Sequence, residues 1–245
     1  MLKSRWVSDS FQSIVSDLAK WLATVSFESS VNSHVKPDGS LVTSIDLLIQ
    51  DRIREITSTR LPDAIVISEE DSNLQASLPG KIVLLIDPLD GTENFASSLP
   101  IWGIGLALFV EGQLTHSSCL FPEIQFAVCS NGLTNPSGYR VLRRTKSDRS
   151  LHLYPANFFP PDLTVEAMGS HQRILGCALF NIALALRSGW SFNSSGPGLK
   201  AWDFLPVVLP AIQSGYSVLV NNQIYRLNYL SPLERYHVSL LKGMG

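Results

Sequence analysis

Residues 86–92 of the chain read Ile-Asp-Pro-Leu-Asp-Gly-Thr, the most informative stretch of the sequence. The apolar run before it predicts a buried strand that delivers Asp87 at its end. Pro88 stiffens the turn that follows, and Gly91 lets the backbone approach a ligand closely. Gly91 and Thr92 are expected to begin a helix whose free N–H groups face an anion. Two carboxylates on one rigid turn beside an anion need a cation between them, and oxygen ligands suit Mg²⁺.

The pattern around this stretch predicts helices that alternate with strands. Apolar residues at helical spacing, or compact apolar runs, predict helices over residues 9–25, 45–56, 174–187, 202–214 and 232–241. Aliphatic or β-branched runs bounded by turn residues predict strands over residues 64–68, 81–86, 101–110, 113–120, 124–130 and 216–220. The spacing of the strands between 101 and 130 predicts an antiparallel meander. Together these elements favour a layered α/β sandwich.

The composition limits the classes of protein to which the chain can belong. Apolar residues make up 45% of the 245 residues, which excludes a disordered chain. Charged residues reach only 16%, against about 25% in an average protein, which indicates much buried surface and a subunit interface. The formal net charge of −2 provides no global basic field for nucleic acid.

The same composition sets expectations for location and assembly. The three cysteines are widely spaced and fit neither a disulfide framework nor a metal knuckle. Apolar stretches fall short of the roughly 20 residues that span a bilayer. We therefore expect a soluble cytoplasmic protein, a homodimer, without membrane or nucleic-acid partners.

Three further acidic elements accompany the first. Glu69 and Glu70 follow the predicted strand 64–68, Asp46 lies in the Val-Thr-Ser-Ile-Asp sequence that opens the second helix, and Asp203 follows Trp202. Each element alone is explained equally well by a solvated acidic loop or a helix cap.

Taken together, the four elements resemble the inositol monophosphatase superfamily, the Mg²⁺-dependent, lithium-sensitive phosphatases that include bisphosphate nucleotidases. The superfamily motif D-P-x-D-G-[ST] is complete at 87–92, its E-E element is present at 69–70, V-T-x-x-D at 42–46 and W-D at 202–203. The resemblance spans residues 9–242. It implies a five-layer αβαβα sandwich of the inositol monophosphatase and fructose-1,6-bisphosphatase type. The two packed halves are expected at 1–132, with most metal ligands, and at 133–245, with the W-D motif and the substrate loop.

The resemblance also implies roles for individual residues. The ligands of a first Mg²⁺ would be Glu69, Asp87 and the backbone carbonyl of Leu89, and those of a second Asp87, Asp90 and Asp203. Two or three Mg²⁺ ions are implied in all. Asp46 and Thr92 would orient and deprotonate the attacking water, and the N–H groups of Gly91 and Thr92 would hold the substrate phosphate. Cations in such a site neutralise phosphate charge and activate water near neutral pH.

The chain departs from the superfamily pattern at two places. The small residues that usually follow W-D are replaced by Phe204-Leu205-Pro206, although we expect Asp203 still to reach the metal. Gly196 stands seven residues before Asp203, where inositol-specific members place a glutamate that contacts a sugar hydroxyl. We therefore expect that inositol monophosphate is not strongly preferred over other small phosphate monoesters.

Three functions remain open at this point. The first is a Mg²⁺-dependent phosphomonoesterase that hydrolyses an inositol or sugar phosphate, because residues 199–203 resemble the L-K-P-W-D of that branch. The second is a 3′(2′),5′-bisphosphate nucleotidase, because Ser-Glu-Glu-Asp at 68–71 and Gly-Pro at 196–197 resemble its motifs. The third is a binding or regulatory protein that keeps the phosphatase fold and acts through a partner.

Overall fold

The computed structural model describes residues 2–27, 32–36, 39–71, 81–130, 136–141, 151–154, 171–194 and 197–242. Within them the helices are α1 (Leu2–Leu22), α2 (Ser44–Arg60), α3 (Thr92–Ala96), α4 (Ala178–Ser188) and α5 (Leu205–Gln213). The first strands are β1 (Ser33–Val35), β2 (Leu41–Thr43), β3 (Ala64–Ser68), β4 (Ile82–Asp90), β5 (Gly103–Val110), β6 (Gln113–Phe121) and β7 (Phe126–Cys129). The remaining strands are β8 (Arg140–Val141), β9 (Leu151–Tyr154), β10 (His171–Ile174), β11 (Phe192–Asn193), β12 (Tyr216–Val220), β13 (Gln223–Ile224) and β14 (Val238–Lys242).

The largest sheet has six strands in the order β3-β4-β5-β6-β7-β8. Strands β4 to β7 pair antiparallel in sequence order, so the predicted meander is confirmed. Strand β3 lies parallel to β4. A second sheet has the order β11-β14-β12-β13, and the pairs β1–β2 and β9–β10 form two small sheets.

Both faces of the large sheet are covered, which explains why its central strands are almost wholly apolar. Leu84 and Ile86 of β4 pack with α1 and α2 in one core, whereas Val83 and Leu85 pack with α4 and α5 in the other. Successive side chains of a strand point to opposite faces, so one continuous apolar run serves both cores. The second core also includes Val218 of β12, so the four-stranded sheet covers α4 and α5 from outside.

This order of helix pair, sheet, helix pair and sheet confirms the mixed α/β fold. The described residues form four of the five layers expected for an αβαβα sandwich. None of the helices that the structure describes is long and apolar enough to cross a membrane. Residues 131–135, where the two predicted halves meet, lie outside the described residues, so the division into halves 1–132 and 133–245 stays a prediction.

The prediction of a final helix over residues 232–241 is wrong. Residues 238–242 form β14, which pairs antiparallel with β12 over five residues and with β11 over two. Val238 and Leu240 are buried and Ser239 between them is not, which is the alternation of a strand with one face on a core. Pro232 cannot donate a backbone hydrogen bond, and the segment before Val238 stays irregular.

Strand β4 is longer than predicted, because it continues through Asp87 to Asp90. Asp87 pairs with Gly105 and Asp90 with Gly103, so two residues of β4 bulge out opposite one residue of β5. A bulge re-aims the side chains on either side of it, and here those side chains are carboxylates. Helix α4 begins at Ala178 instead of residue 174, since residues 171–174 pair with β9.

Gly105 lies where the large sheet meets the helices behind it. A Cβ atom added to Gly105 would lie 2.7 Å from Pro206 Cγ and 2.9 Å from Leu179 Cδ1. Pro206 belongs to the first turn of α5, where a proline leaves no hydrogen bond unmade. Pro206, one of the three residues that replace the usual small ones after Asp203, is therefore accommodated by the missing side chain of Gly105.

We expect Gly105→Ala to lower the free energy of unfolding by roughly 1–3 kcal/mol, because overpacking forces α4 and α5 away from the sheet. Urea denaturation followed by circular dichroism measures this loss. Ser217→Ala, at an exposed position of β12, serves as the control and should change stability little. Equal stability of the Gly105 variant and the wild type would contradict this packing.

Candidate metal centre

Three carboxylates from separate parts of the chain meet at one edge of the large sheet. Glu69 directly follows β3, and Asp87 lies in the neighbouring parallel strand, where Ser68 pairs with Ile86. Asp203 ends a short 3-10 turn, Ala201–Asp203. Oxygen atoms of these three carboxylates all lie within 4.8 Å of one another. The structure therefore brings together three of the four acidic side chains predicted as ligands.

The cluster is electrostatically unfavourable for carboxylates without a cation. Burial raises the pKa of Asp87 well above its ordinary range, and the charges of Glu69, Asp90 and Asp203 raise it further. Burial also raises the pKa of Asp203, with Glu69 and Asp90 adding to the rise. Burial raises the pKa of Glu69 to about 7, although the nearby ammonium of Lys36 opposes the shift. Carboxylates held this close are stabilised by a cation, and a donor set made only of oxygen fits a hard divalent ion.

Backbone groups hold two of these carboxylates in place. Asp87 Oδ1 accepts a hydrogen bond from the N–H of Leu89 at 3.1 Å, and Asp203 Oδ2 accepts one from the N–H of Lys200 at 2.7 Å. Each bond occupies one oxygen of its carboxylate. The other oxygen of each group is left for the cluster.

Asp90 is the predicted ligand that lies outside the 4.8 Å cluster of the described residues. Its Oδ2 accepts hydrogen bonds from the N–H of Leu179 at 2.6 Å and from the thiol of Cys177 at 3.0 Å. Both donors belong to the first turn of α4, whose helix dipole favours a carboxylate. Burial raises the pKa of Asp90 all the same, and these hydrogen bonds oppose the rise. Asp90 thus connects the sheet edge to α4 while its charge still acts on Asp87.

Asp46 and Thr92 contact each other, as the resemblance implied. Thr92 Oγ1 lies 3.2 Å from Asp46 Oδ1 and 3.0 Å from the carbonyl oxygen of Leu89. Thr43 is the N-cap of α2, and its N–H and hydroxyl both donate to Asp46 Oδ2. Burial raises the pKa of Asp46, and the bonds from Thr43 and Thr92 oppose that rise. The capping explanation of this motif is therefore correct, and the same carboxylate also faces the cleft residue Thr92.

Gly91 occupies a position that only glycine fits well. Its φ is +91°, and a Cβ there would lie 3.0 Å from the carbonyl oxygen of Ile101 and 3.1 Å from Cys177 Cβ. Helix α3 begins at the next residue, Thr92, as predicted. Gly91 thus lets the chain turn from β4 into α3 directly beside the acidic cluster.

One cleft of about 270 Å³ is lined by the predicted metal ligands and the turn into α3: Glu69, Asp87, Leu89, Asp90, Gly91, Thr92 and Asp203. Its described walls also include Glu93, Pro197, Gly198, Leu199 and Arg235. Gly196, which we singled out for specificity, lies outside the described residues. The cleft is open enough for a small molecule and places the acidic cluster at its wall.

Two residues near the cleft, Lys36 and Arg235, were missed by sequence reasoning, as was the hydrogen bond from Cys177 to Asp90. Lys36 Nζ lies 2.7 Å from Glu70 and 3.3 Å from Glu69. Burial lowers the pKa of Lys36, but the two carboxylates outweigh it and raise the pKa overall. Nothing in the sequence next to Lys36 or Arg235 marks either residue as a neighbour of the acidic cluster.

Comparison with known proteins agrees with this geometry. The model of the inositol monophosphatase family matches residues 10–209. An inositol-1-monophosphatase of Synechocystis is 37% identical over 117 residues, which are 46% of this chain and 40% of that protein. Nus factor SuhB of Haemophilus influenzae is 30% identical over 188 residues, 71% of this chain and 69% of that protein. Nus factor SuhB of Pasteurella multocida and the Synechocystis protein are matched over only 29% and 40% of their length.

Solved structures show the same fold. The Thermotoga maritima IMPase superposes with a TM-score of 0.73 at 21% identity, over 95% of this chain and 91% of that one. An IMPase/NADP phosphatase complexed with Mg²⁺ and phosphate gives a TM-score of 0.66 at 17% identity, over 98% and 88%. With a family match across most of its length and this shared architecture, the chain belongs to the inositol monophosphatase family.

Proposed function

We propose that this protein is a Mg²⁺-dependent phosphomonoesterase that hydrolyses a small phosphorylated metabolite of the inositol or sugar phosphate type. The observation that carries the proposal is the meeting of Glu69, Asp87 and Asp203 in the cleft that also contains Thr92. Membership of a family that includes phosphatases supports it, as does a histidinol-phosphatase of Chlorobaculum parvum, 32% identical over 89 residues.

Magnesium is the metal that the donor set favours. The candidate ligands are the carboxylates of Glu69, Asp87, Asp90 and Asp203 and the carbonyl of Leu89, all of them hard oxygen donors. A structural relative was solved with Mg²⁺ and phosphate. When bound, such ions neutralise phosphate charge and lower the pKa of water.

Asp46 and Thr92 would prepare the attacking water. The Thr92 hydroxyl lies within hydrogen-bond distance of Asp46 Oδ1. The Thr92 oxygen can therefore take a proton from the attacking water while its own proton passes to Asp46. Burial raises the pKa of Asp46, which makes it a stronger base than an exposed aspartate. We propose that the N–H groups of Gly91 and Thr92 hold the substrate phosphate. Water attack requires no phosphorylated side chain.

The alternatives are a 3′(2′),5′-bisphosphate nucleotidase and a regulatory protein that acts through a partner. The regulatory alternative draws support from the relatives named Nus factor SuhB. Turnover that depends on the acidic cluster distinguishes an enzyme from a protein that only binds. Homodimer assembly and cytoplasmic location stay predictions.

We expect Asp87→Asn to lower kcat/KM by more than about a hundredfold in a Mg²⁺-dependent phosphate-release assay, since even the neighbours of metal ligands contribute 10–100-fold. The variant should fold, because it removes one of several repelling buried charges. Asp51→Asn, at an exposed position of α2, is the matched control and should keep full activity. Wild-type activity of the Asp87 variant would refute the proposed ligand.

The metal-free protein should become less stable as the pH rises. Glu69 has an ordinary pKa of 4.5 and is raised to about 7 in the folded protein, so between these values the folded state binds more protons than the unfolded chain. The free energy of unfolding of the protein therefore falls over this interval, and the raised pKa values of Asp87 and Asp203 contribute in the same direction.

Thermal unfolding of EDTA-treated protein between pH 5 and 8 measures this trend. Saturating Mg²⁺ should raise the Tm most at pH 8, where it replaces the missing protons. A metal-free Tm that climbs steadily over this range, or a Tm indifferent to Mg²⁺ at pH 8, would count against a cation site at the cluster.

Inositol 1-phosphate should not be strongly preferred over other substrates. Gly196 has no carboxylate that could bind a sugar hydroxyl. Strong discrimination between substrates arises when the wrong substrate leaves a buried polar group of the site unpaired, and Gly196 provides no such group. Comparison of kcat/KM for inositol 1-phosphate and several sugar phosphates tests this. A preference beyond about a hundredfold, or ~2.7 kcal/mol in transition-state binding, would contradict it.

A further inference from the structure

Arg235 is a cation in the cleft that the proposed chemistry does not use. Among the described residues that line the cleft, it carries the single positive charge. The other charged residues of the lining are Glu69, Asp87, Asp90, Glu93 and Asp203. Burial raises the pKa of Asp203, and the charge of Arg235 is among the effects that oppose this rise. Its charge therefore acts on the same space as the acidic cluster.

The backbone around Arg235 is held firmly against the wall of the cleft. Leu199 and Tyr236 exchange two backbone hydrogen bonds of 2.9 and 2.8 Å. Gly198 has a φ of +79°, and a Cβ there would lie 2.9 Å from the carbonyl oxygen of Tyr236. Lys200 Nζ donates to the carbonyl oxygen of Leu233 at 2.8 Å. The segment that carries Arg235 is thus fixed to the segment that forms the wall.

The guanidinium of Arg235 has donors to spare. Its Nη1 donates to the carbonyl oxygen of Gly198 at 3.1 Å, which uses one of five N–H groups. In the part of the chain that the structure describes, Arg52, Arg54 and Arg60 each pair with a carboxylate, whereas Arg235 is in no such ion pair. An arginine that is oriented by one bond and otherwise unpaired is prepared to bind a carboxylate or phosphate through its planar fork.

We propose that Arg235 determines specificity by binding a second anionic group on the leaving-group part of the substrate. The substrate class is then a phosphate monoester that carries a further phosphate or carboxylate. The reacting phosphate is assigned to the acidic cluster with its ions and to Gly91 and Thr92, which leaves the guanidinium for another group. This inference rests on the proposed phosphatase function for its catalytic consequences, but the binding it predicts is independent of turnover.

Two matched pairs of compounds test the proposal. Adenosine 3′,5′-bisphosphate against adenosine 3′-monophosphate adds a phosphate, and 2-phosphoglycerate against glycerol 2-phosphate adds a carboxylate. We expect the wild type to favour the doubly anionic member of at least one pair by about tenfold or more in kcat/KM, the worth of one charge-assisted hydrogen-bond pair.

Arg235→Gln keeps a donor for Gly198 and removes the charge. It should abolish this preference, mainly through KM, and change kcat/KM for the singly anionic member by less than about threefold. Arg235→Lys should retain part of the preference, and Arg226→Gln, at an exposed position outside the cleft lining, should retain all of it. Equal losses for both members of a pair would show that Arg235 only supports the wall, and this result would overturn the proposal. The absence of any wild-type preference would overturn it as well.

A binding measurement separates this inference from the proposed function. Calorimetric titration of adenosine 3′,5′-bisphosphate, adenosine 3′-monophosphate and the glycerol pair is done with Ca²⁺, which takes the same oxygen ligands as Mg²⁺. If neither these compounds nor inositol and sugar phosphates are hydrolysed with Mg²⁺, but the doubly anionic member binds tighter to the wild type than to Arg235→Gln, the phosphatase function fails and the role of Arg235 stands. If hydrolysis occurs and neither turnover nor binding depends on the second anion, the function stands and the role of Arg235 fails.

Discussion

The mutual repulsion of closely spaced carboxylates is the constraint on which this structure depends. Glu69, Asp87 and Asp203 come from three parts of the chain and lie within 4.8 Å of one another, with Asp90 close enough to add its field. Without a cation, the folded state is more stable when some of these carboxyl groups are protonated than when all of them are charged. A fold that brings these charges together at neutral pH therefore has to be stabilised elsewhere. Divalent cations would remove this repulsion and would connect Glu69 and Asp87 with Asp203, which lies more than a hundred residues further along the chain.

That stabilisation comes from the two apolar cores on either side of β4. Because alternate side chains of one strand enter opposite cores, the strand that carries Asp87 is fixed from both faces. The bulge between Asp87 and Asp90 then directs one carboxylate to the cluster and the other to α4. Gly105 and Gly91 allow the neighbouring backbone to come close at these points. The two apolar cores thus hold β4 in place, although the carboxylates that it brings to the site repel one another.

The sequence predicted the parts of the site that depend on local chemistry. The stretch at 86–92 indicates a strand, a tight turn and a helix start, and the structure has all three, with Asp46 beside Thr92 as the resemblance implied. What it did not reveal depends on contacts between distant segments. Lys36 pairs with Glu69 and Glu70, and Arg235 lines the cleft, only because their elements pack there, and nothing adjacent to them in sequence marks this. The final strand was mistaken for a helix because its pairing partner β12 is what decides its conformation.

A divalent cation held by the acidic cluster would join β4 to the turn that ends at Asp203. Anomalous diffraction from crystals grown with Mn²⁺, which prefers the same oxygen ligands as Mg²⁺, tests for this cation. We expect an anomalous peak at coordinating distance, roughly 2.0–2.2 Å, from Asp87, with Asp203 or Glu69 also bound to an ion there. Crystals saturated with Mn²⁺ that show no peak at coordinating distance from Asp87 would contradict it.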